Sequence, residues 1–151
     1  MTKEKLGLKG KIKAVLKNAK GKIKQIVEKP NTITELFDAH VADQLSDAGG
    51  AAIGYMAIGT GSGQTSSSTG LATSVARVAL DSTTQGAGAA DNDIVYVATF
   101  PAGTGTGAIT EAGIIQADNN TTLMAYDDFT VINKAAGDSL VITWTLTMGA
   151  S

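Results

Sequence analysis

Chemistry needs a few polar side chains of the right type within reach of one another, and this chain offers few such sets. Gly59-Thr60-Gly61-Ser62-Gly63 has the bare backbone that lets a phosphate approach N–H groups. It lacks the Lys-Ser or Lys-Thr of a phosphate loop and the acidic residue of a dinucleotide fingerprint. A wide β-connection is the expected structure there. His40 is the only histidine, so a Ser–His pair or a histidine metal site would have to be built around it. It falls on the apolar side of a predicted helix, as a packed or boundary residue. Asp91-Asn92-Asp93 and Asp127-Asp128 carry hard oxygen ligands suited to calcium, but neither has the EF-hand spacing with its distal Glu. They read as turn and edge acids.

Glu111 is the carboxylate with the most demanding setting. If Ile109 and Ile115 face inward, strand alternation carries Glu111 inward with them, although Ala112 and Ile114 could mark the buried face instead. A buried carboxylate needs a partner, and Arg77 is the only arginine, so a structural Arg77–Glu111 ion pair is predicted. Asn119 and Asn120 both fit the N-x-S/T pattern, which matters only in a glycosylating secretory pathway. With no cysteine, thiol catalysis, disulfides and Cys-based zinc are excluded. No catalytic residue, metal or cofactor is expected.

The elements that must position these residues divide sharply by charge. Residues 1–30 hold ten lysines against Glu4 and Glu28, a net +8, whereas residues 31–151 hold Arg77 and Lys134 against twelve acids, a net −10. The near-neutral whole thus joins a basic arm, 1–30, to an acidic body, 31–151, expected to fold without it. No apolar run approaches the ~18 residues of a membrane span. Lysines also interrupt any signal-peptide core, so the mature protein is expected to start at Met1 and to assemble in a cytoplasm.

Within the arm, Lys9-Gly10-Lys11-Ile12-Lys13 recurs as Lys20-Gly21-Lys22-Ile23-Lys24, eleven residues on. Eleven residues make three helical turns with about 20° of drift. The spacing of Leu8, Ile12, Val15, Leu16, Ala19, Ile23, Ile26 and Val27 therefore predicts an amphipathic helix. Gly10 and Gly21 weaken it by about 1 kcal/mol each, so a partner or the body should order it. Four readings fit the arm: nucleic-acid contact, an anionic membrane surface, a solvated face, or docking into an acidic protein groove. It has no Arg and no aromatic for bases and no interfacial Trp or Phe. Docking ranks first and nucleic acid second, with Leu8, Ile12, Val15, Leu16, Ile23, Ile26 and Val27 as the apolar contacts. Lys11 and Lys22 are the matching steering charges.

Pro30 ends the arm. A second helix is predicted at 33–46, with Thr32 and Glu35 at capping-box spacing, Ile33, Leu36, Phe37, His40, Val41 and Leu45 on one face, and Gly49-Gly50 closing it. Six strands are predicted after it, at 53–58, 75–80, 94–100, 109–115, 123–132 and 140–148. The last alternates Ile142, Trp144, Leu146 and Met148 with threonines, the mark of a half-buried antiparallel strand. Ile94–Phe100 is apolar on both faces, so it is central or covered by another subunit. The expected fold is mainly β: an antiparallel β-sandwich or Greek-key barrel preceded by one or two amphipathic N-terminal helices.

Over about residues 50–148 the body resembles small structural proteins of tailed bacteriophages, of the head-decoration and tail-fibre-like β-domain type. The matching stretches are Tyr55–Gly61, Arg77–Leu80, Tyr96–Pro101, Ile109–Ile114, Phe129–Lys134 and Asp138–Thr145, in that order, with Gly-rich connectors between. The resemblance implies a non-enzymatic virion protein that oligomerises, a trimer being favoured. A capsid decoration or cement role anchored by the arm is the leading expectation. The alternative is a tail-fibre or baseplate adaptor component; a secreted adhesive or filament-forming subunit is the reading from another class. The expected partners are further copies of the chain and other virion proteins with an acidic or apolar groove.

Overall fold

The computed structural model describes residues 6–47 and 50–150. In chain order the elements are β1 (Leu6–Lys17), β2 (Ile23–Pro30), β3 (Thr32–Ile33) and α1 (Glu35–Ser46), then β4 (Tyr55–Gly59), β5 (Ser74–Ala79) and β6 (Ser82–Gln85). They end with β7 (Asp93–Phe100), β8 (Gly107–Ile115), β9 (Leu123–Lys134) and β10 (Ser139–Ala150). Two five-stranded sheets result, ordered β2-β1-β10-β7-β6 and β3-β9-β8-β4-β5. Every pairing is antiparallel. One apolar core lies between them: Ile12, Leu16, Phe100, Ile142 and Trp144 from the first sheet meet Met56, Ile58, Ile109 and Ile114 from the second.

All six predicted strands are present. The basic arm differs most from expectation. Residues 6–30 form the β1–β2 hairpin and not a helix, and the hairpin is no appendage. β1 pairs with β10 over twelve residues, Leu6 opposite Ala150 through Lys17 opposite Ser139. Physical reasons for the difference lie in the same residues. Leu8, Gly10, Ile12, Ala14 and Leu16 also alternate at period two, with lysines at 9, 11, 13 and 17 between them, and the two glycines weigh against helix. The edge of β10 decides the competition by supplying a ladder of partners. Gly10 fits because a Cβ there would collide with the Asn31 side chain.

Strand geometry also dissolves the predicted docking stripe. Ile12 and Leu16 are buried in the chain's own core, and Leu8 and Val27 pack against it. Val15 is half-buried on the opposite face, while Ile23, Ile26, Lys11 and Lys22 are exposed. The repeat-equivalent isoleucines part completely, Ile12 being 1% and Ile23 50% exposed.

The predicted second helix begins two residues late. Thr32 and Ile33 instead pair with Tyr126 and Ala125 of β9. Thr34 becomes the N-cap, but its hydroxyl donates to the Leu123 carbonyl at 2.6 Å, so no capping box forms. Phe37 anchors α1 in the core, and the helix ends at Asp47 in a left-handed conformation (φ 53°). Of the predicted Gly49-Gly50 stop, Gly49 lies outside the described residues.

β7 lies inside its sheet between β10 and β6, and its inward face of Tyr96, Ala98 and Phe100 is buried in the core between the two sheets. Outside the second sheet, the segment 60–73 lies over a smaller apolar cluster of Ala57, Leu71, Ile115, Leu123 and Tyr126.

Candidate functional site

Glu111 and Arg77 do not pair. Register sets Arg77 opposite Ala57 and Glu111 opposite Gly59, and the Arg77 guanidinium instead donates to Asp118 at 2.8 Å. Glu111 is fully buried without a cation. A bulge after Ile109 turns it to the outer side of β8, under the 60–73 segment. There Oε2 accepts the amides of Gly61 (2.6 Å) and Thr73 (2.9 Å), and Oε1 accepts that of Ala72 (2.9 Å). The Thr110 hydroxyl donates to the Gly61 carbonyl at 2.8 Å. One carboxylate thereby fastens both ends of the segment. Gly61 has to be glycine, since a Cβ would lie 2.6 Å from both Ala72 Cβ and Glu111 Oε2.

This geometry also decides the glycine-rich loop. The Gly61 amide is taken by Glu111, and the Thr60 amide donates to the Thr73 carbonyl at 3.0 Å. A phosphate would find neither N–H free. Beside the loop lies a polar recess of about 470 Å³ whose lining includes Lys29, Ser62, Thr110 and Asp128. The Lys29 ammonium stands 3.2 Å from Asp128 and 3.6 Å from Asp127, so a lysine holds the position a bound cation would need.

Burial pushes the Asp127 carboxyl up to about 6, against the pull of Lys29, with Asp128 adding to the rise. Because its folded value exceeds the unfolded one, this group favours the folded state below about pH 4, and that contribution is lost as pH rises through about 6. Asp127→Asn is therefore expected to stabilise the protein at pH 7.5 by about 1–3 kcal/mol. The gain should vanish near pH 4, as read by melts at both pH values.

The remaining polar candidates serve the framework. Asp93 accepts the Thr147 hydroxyl at 2.6 Å, and Asn92 donates to the Met148 carbonyl. Asn120 accepts the Leu71 amide at 2.9 Å and donates to its carbonyl at 3.1 Å. His40 is half-buried, its ring 6.1 Å from that of Phe37, and burial lowers its pKa. Among the described residues no three His, Asp or Glu side chains converge as metal ligands.

Nothing in the sequence around Lys134 marks it as buried. It is buried, donates to the carbonyls of Pro101 (2.9 Å) and Asp138 (2.7 Å), and has its pKa lowered by burial. Lys24 of the hairpin reaches Asp138 at 2.6 Å, a contact that holds the Asp138 carboxyl below its usual range together with the Ala135 amide. Lysines far apart in sequence thus pin one turn. Only the partners, not the residues themselves, distinguish these lysines from solvated ones.

What is left for recognition is surface. The outer side of the first sheet sets Lys9, Lys11 and Lys13 beside Thr147, Thr145 and Thr143, next to Val15 paired with Val141. Ordered sheets, a buried Glu111 carboxylate spent on backbone amides and a charged open face describe a β-framework. Residues 29–148 match the family described as phage tail-collar fibre protein, N-terminal. The chain belongs to that family and is a phage virion structural protein of the tail-fibre type. No curated protein and no solved structure matches it. The family, a structural one, favours the tail-fibre alternative over capsid decoration. The match opens at the end of β2, so most of the basic hairpin precedes it.

Proposed function

We propose that this protein is a non-enzymatic, oligomeric module of a phage tail fibre or its baseplate adaptor, attached to the particle through the lysine-rich outer face of the first sheet. The family match over residues 29–148 carries the reading. Attachment is supported by Lys9 and Lys11, which alternate along β1 with threonine neighbours and, beside a Lys13 paired with Glu28 at 3.7 Å, form a basic strip suited to an acidic partner protein. A hairpin without arginine or aromatics is poorly equipped to read nucleic acid. The oligomer is expected to be cyclic, a trimer being favoured. Gold-labelled antibody against the protein should mark the tails of intact particles. Label on the head would restore the decoration reading, and its absence from particles would overturn both.

A further inference from the structure

Two exposed features of opposite charge stand at opposite ends of β10. At one end is the hairpin tip, residues 18–22, next to the Lys17–Ser139 pair. Asn18 organises it, its side chain accepting the amides of Lys20 (2.9 Å) and Lys22 (3.0 Å), with Gly21 at φ 80°. Lys20, Lys22 and the half-exposed Ile23 project from this turn. At the other end α1 closes an apolar groove of about 290 Å³ lined by Phe37, His40, Val41, Leu45, Ile53 and Met148.

Leu45 at the groove is 82% exposed. Asp43 and Asp47 beside it are exposed and make no ion pair among the described residues. They stand at the helix C-terminus, whose last turn has no basic residue. Acids at the negative end of a helix dipole raise the energy of the free surface, and an incoming cation would relieve it.

We propose that the tip of one copy seats Ile23 in the α1 groove of a second copy, with Lys20 and Lys22 meeting Asp43 and Asp47. The chain supplies both halves of the pair. They cannot meet within one molecule, because the eight residue steps from Leu140 to Met148 span about 27 Å. The occupant is thus a second copy. Lysines along β2 are accounted for as guards of an open sheet edge, but Lys20 and Lys22 lie on the turn before that strand begins. A preorganised tip loses little freedom on docking. The contact is heterologous, so it closes a ring if the rotation per subunit allows and otherwise propagates. It rests on the oligomeric reading above and assigns its surface.

Complementary charge reversal tests it on the full chain. The tip variant carries Lys20→Glu with Lys22→Glu; the groove variant carries Asp43→Lys with Asp47→Lys. All four positions are exposed, so melting temperatures taken at concentrations low enough for wild type to be monomeric should match wild type. In sedimentation at low salt, wild type should associate, and each variant alone should dissociate with a Kd raised roughly 100-fold. Mixing the two should restore association in alternating pairs and even-numbered assemblies, since two alternating variants cannot close a three-membered ring, and about 0.5 M salt should weaken it. A monomeric wild type overturns the proposal and the oligomeric reading together. Oligomers that persist in both variants, or variants that fail to associate when mixed, overturn this surface while leaving an oligomer elsewhere intact.

Discussion

Residues 31–151 expressed alone are expected to be insoluble or molten. Removing the hairpin strips β10 of its twelve-residue partner and uncovers the core faces of Leu140, Ile142 and Trp144. It also deletes Ile12 and Leu16, each worth about 1.5–3 kcal/mol of burial, against a total domain stability of about 5–15 kcal/mol. A cooperative melt of the shortened chain within a few degrees of the full one would overturn the hairpin's place in the core. Point changes separate this from general disruption. Ile12→Asp should abolish the cooperative transition, while Ile23→Asp, at the matching place in the repeat, should shift the stability of the monomer, melted at low concentration, by no more than about 0.5 kcal/mol.

Glu111→Ala should cost about 3–5 kcal/mol, because three part-buried amides lose a charged acceptor at once. Gln restores one carbonyl acceptor but sets an NH₂ against amide donors, so Glu111→Gln should recover only part of the loss. The effect is local as well as global. Hydrogen exchange at Gly61, Ala72 and Thr73 should accelerate more than at the β8–β9 ladder. A variant within about 0.5 kcal/mol of wild type, with unchanged exchange at these amides, would show that the carboxylate does not hold the segment.

Strands with one apolar face, such as Ile142–Met148, were legible because alternation and burial agree there. The hairpin was not, since residues 8–27 satisfy helical and strand periods together. That ambiguity is settled by β10, more than a hundred residues away, and no local pattern contains it. Ser82–Gln85 went unread as a strand for a related reason: all four residues are exposed, so no apolar signal marks β6. Alternation marks Glu111 as a buried acid needing a partner and points to the Arg77 side chain, whereas the structure supplies backbone amides. Backbone amides leave no residue signature, and the bulge that turns Glu111 outward is equally silent. Lys134 shows the converse, a charged residue whose burial follows from two carbonyls.

The pairing of β1 with β10 has a consequence for synthesis. On the ribosome β1 and β2 emerge before β10, the strand that joins them to the rest of the sheet, which is made more than a hundred residues later. Until then Ile12 and Leu16 have no core to enter. Contacts this distant in sequence make folding slow, on the order of milliseconds to seconds for sheet proteins, and a waiting apolar edge invites association with other nascent chains. The lysines at 9, 11, 13 and 17 take four of the five outward positions along that strand from 9 to 17, Val15 being the exception. Their repulsion keeps the early hairpin from pairing with its copies. The same basic charge thus carries a consequence for folding as well as for the finished surface: like-charged edges disfavour pairing between copies.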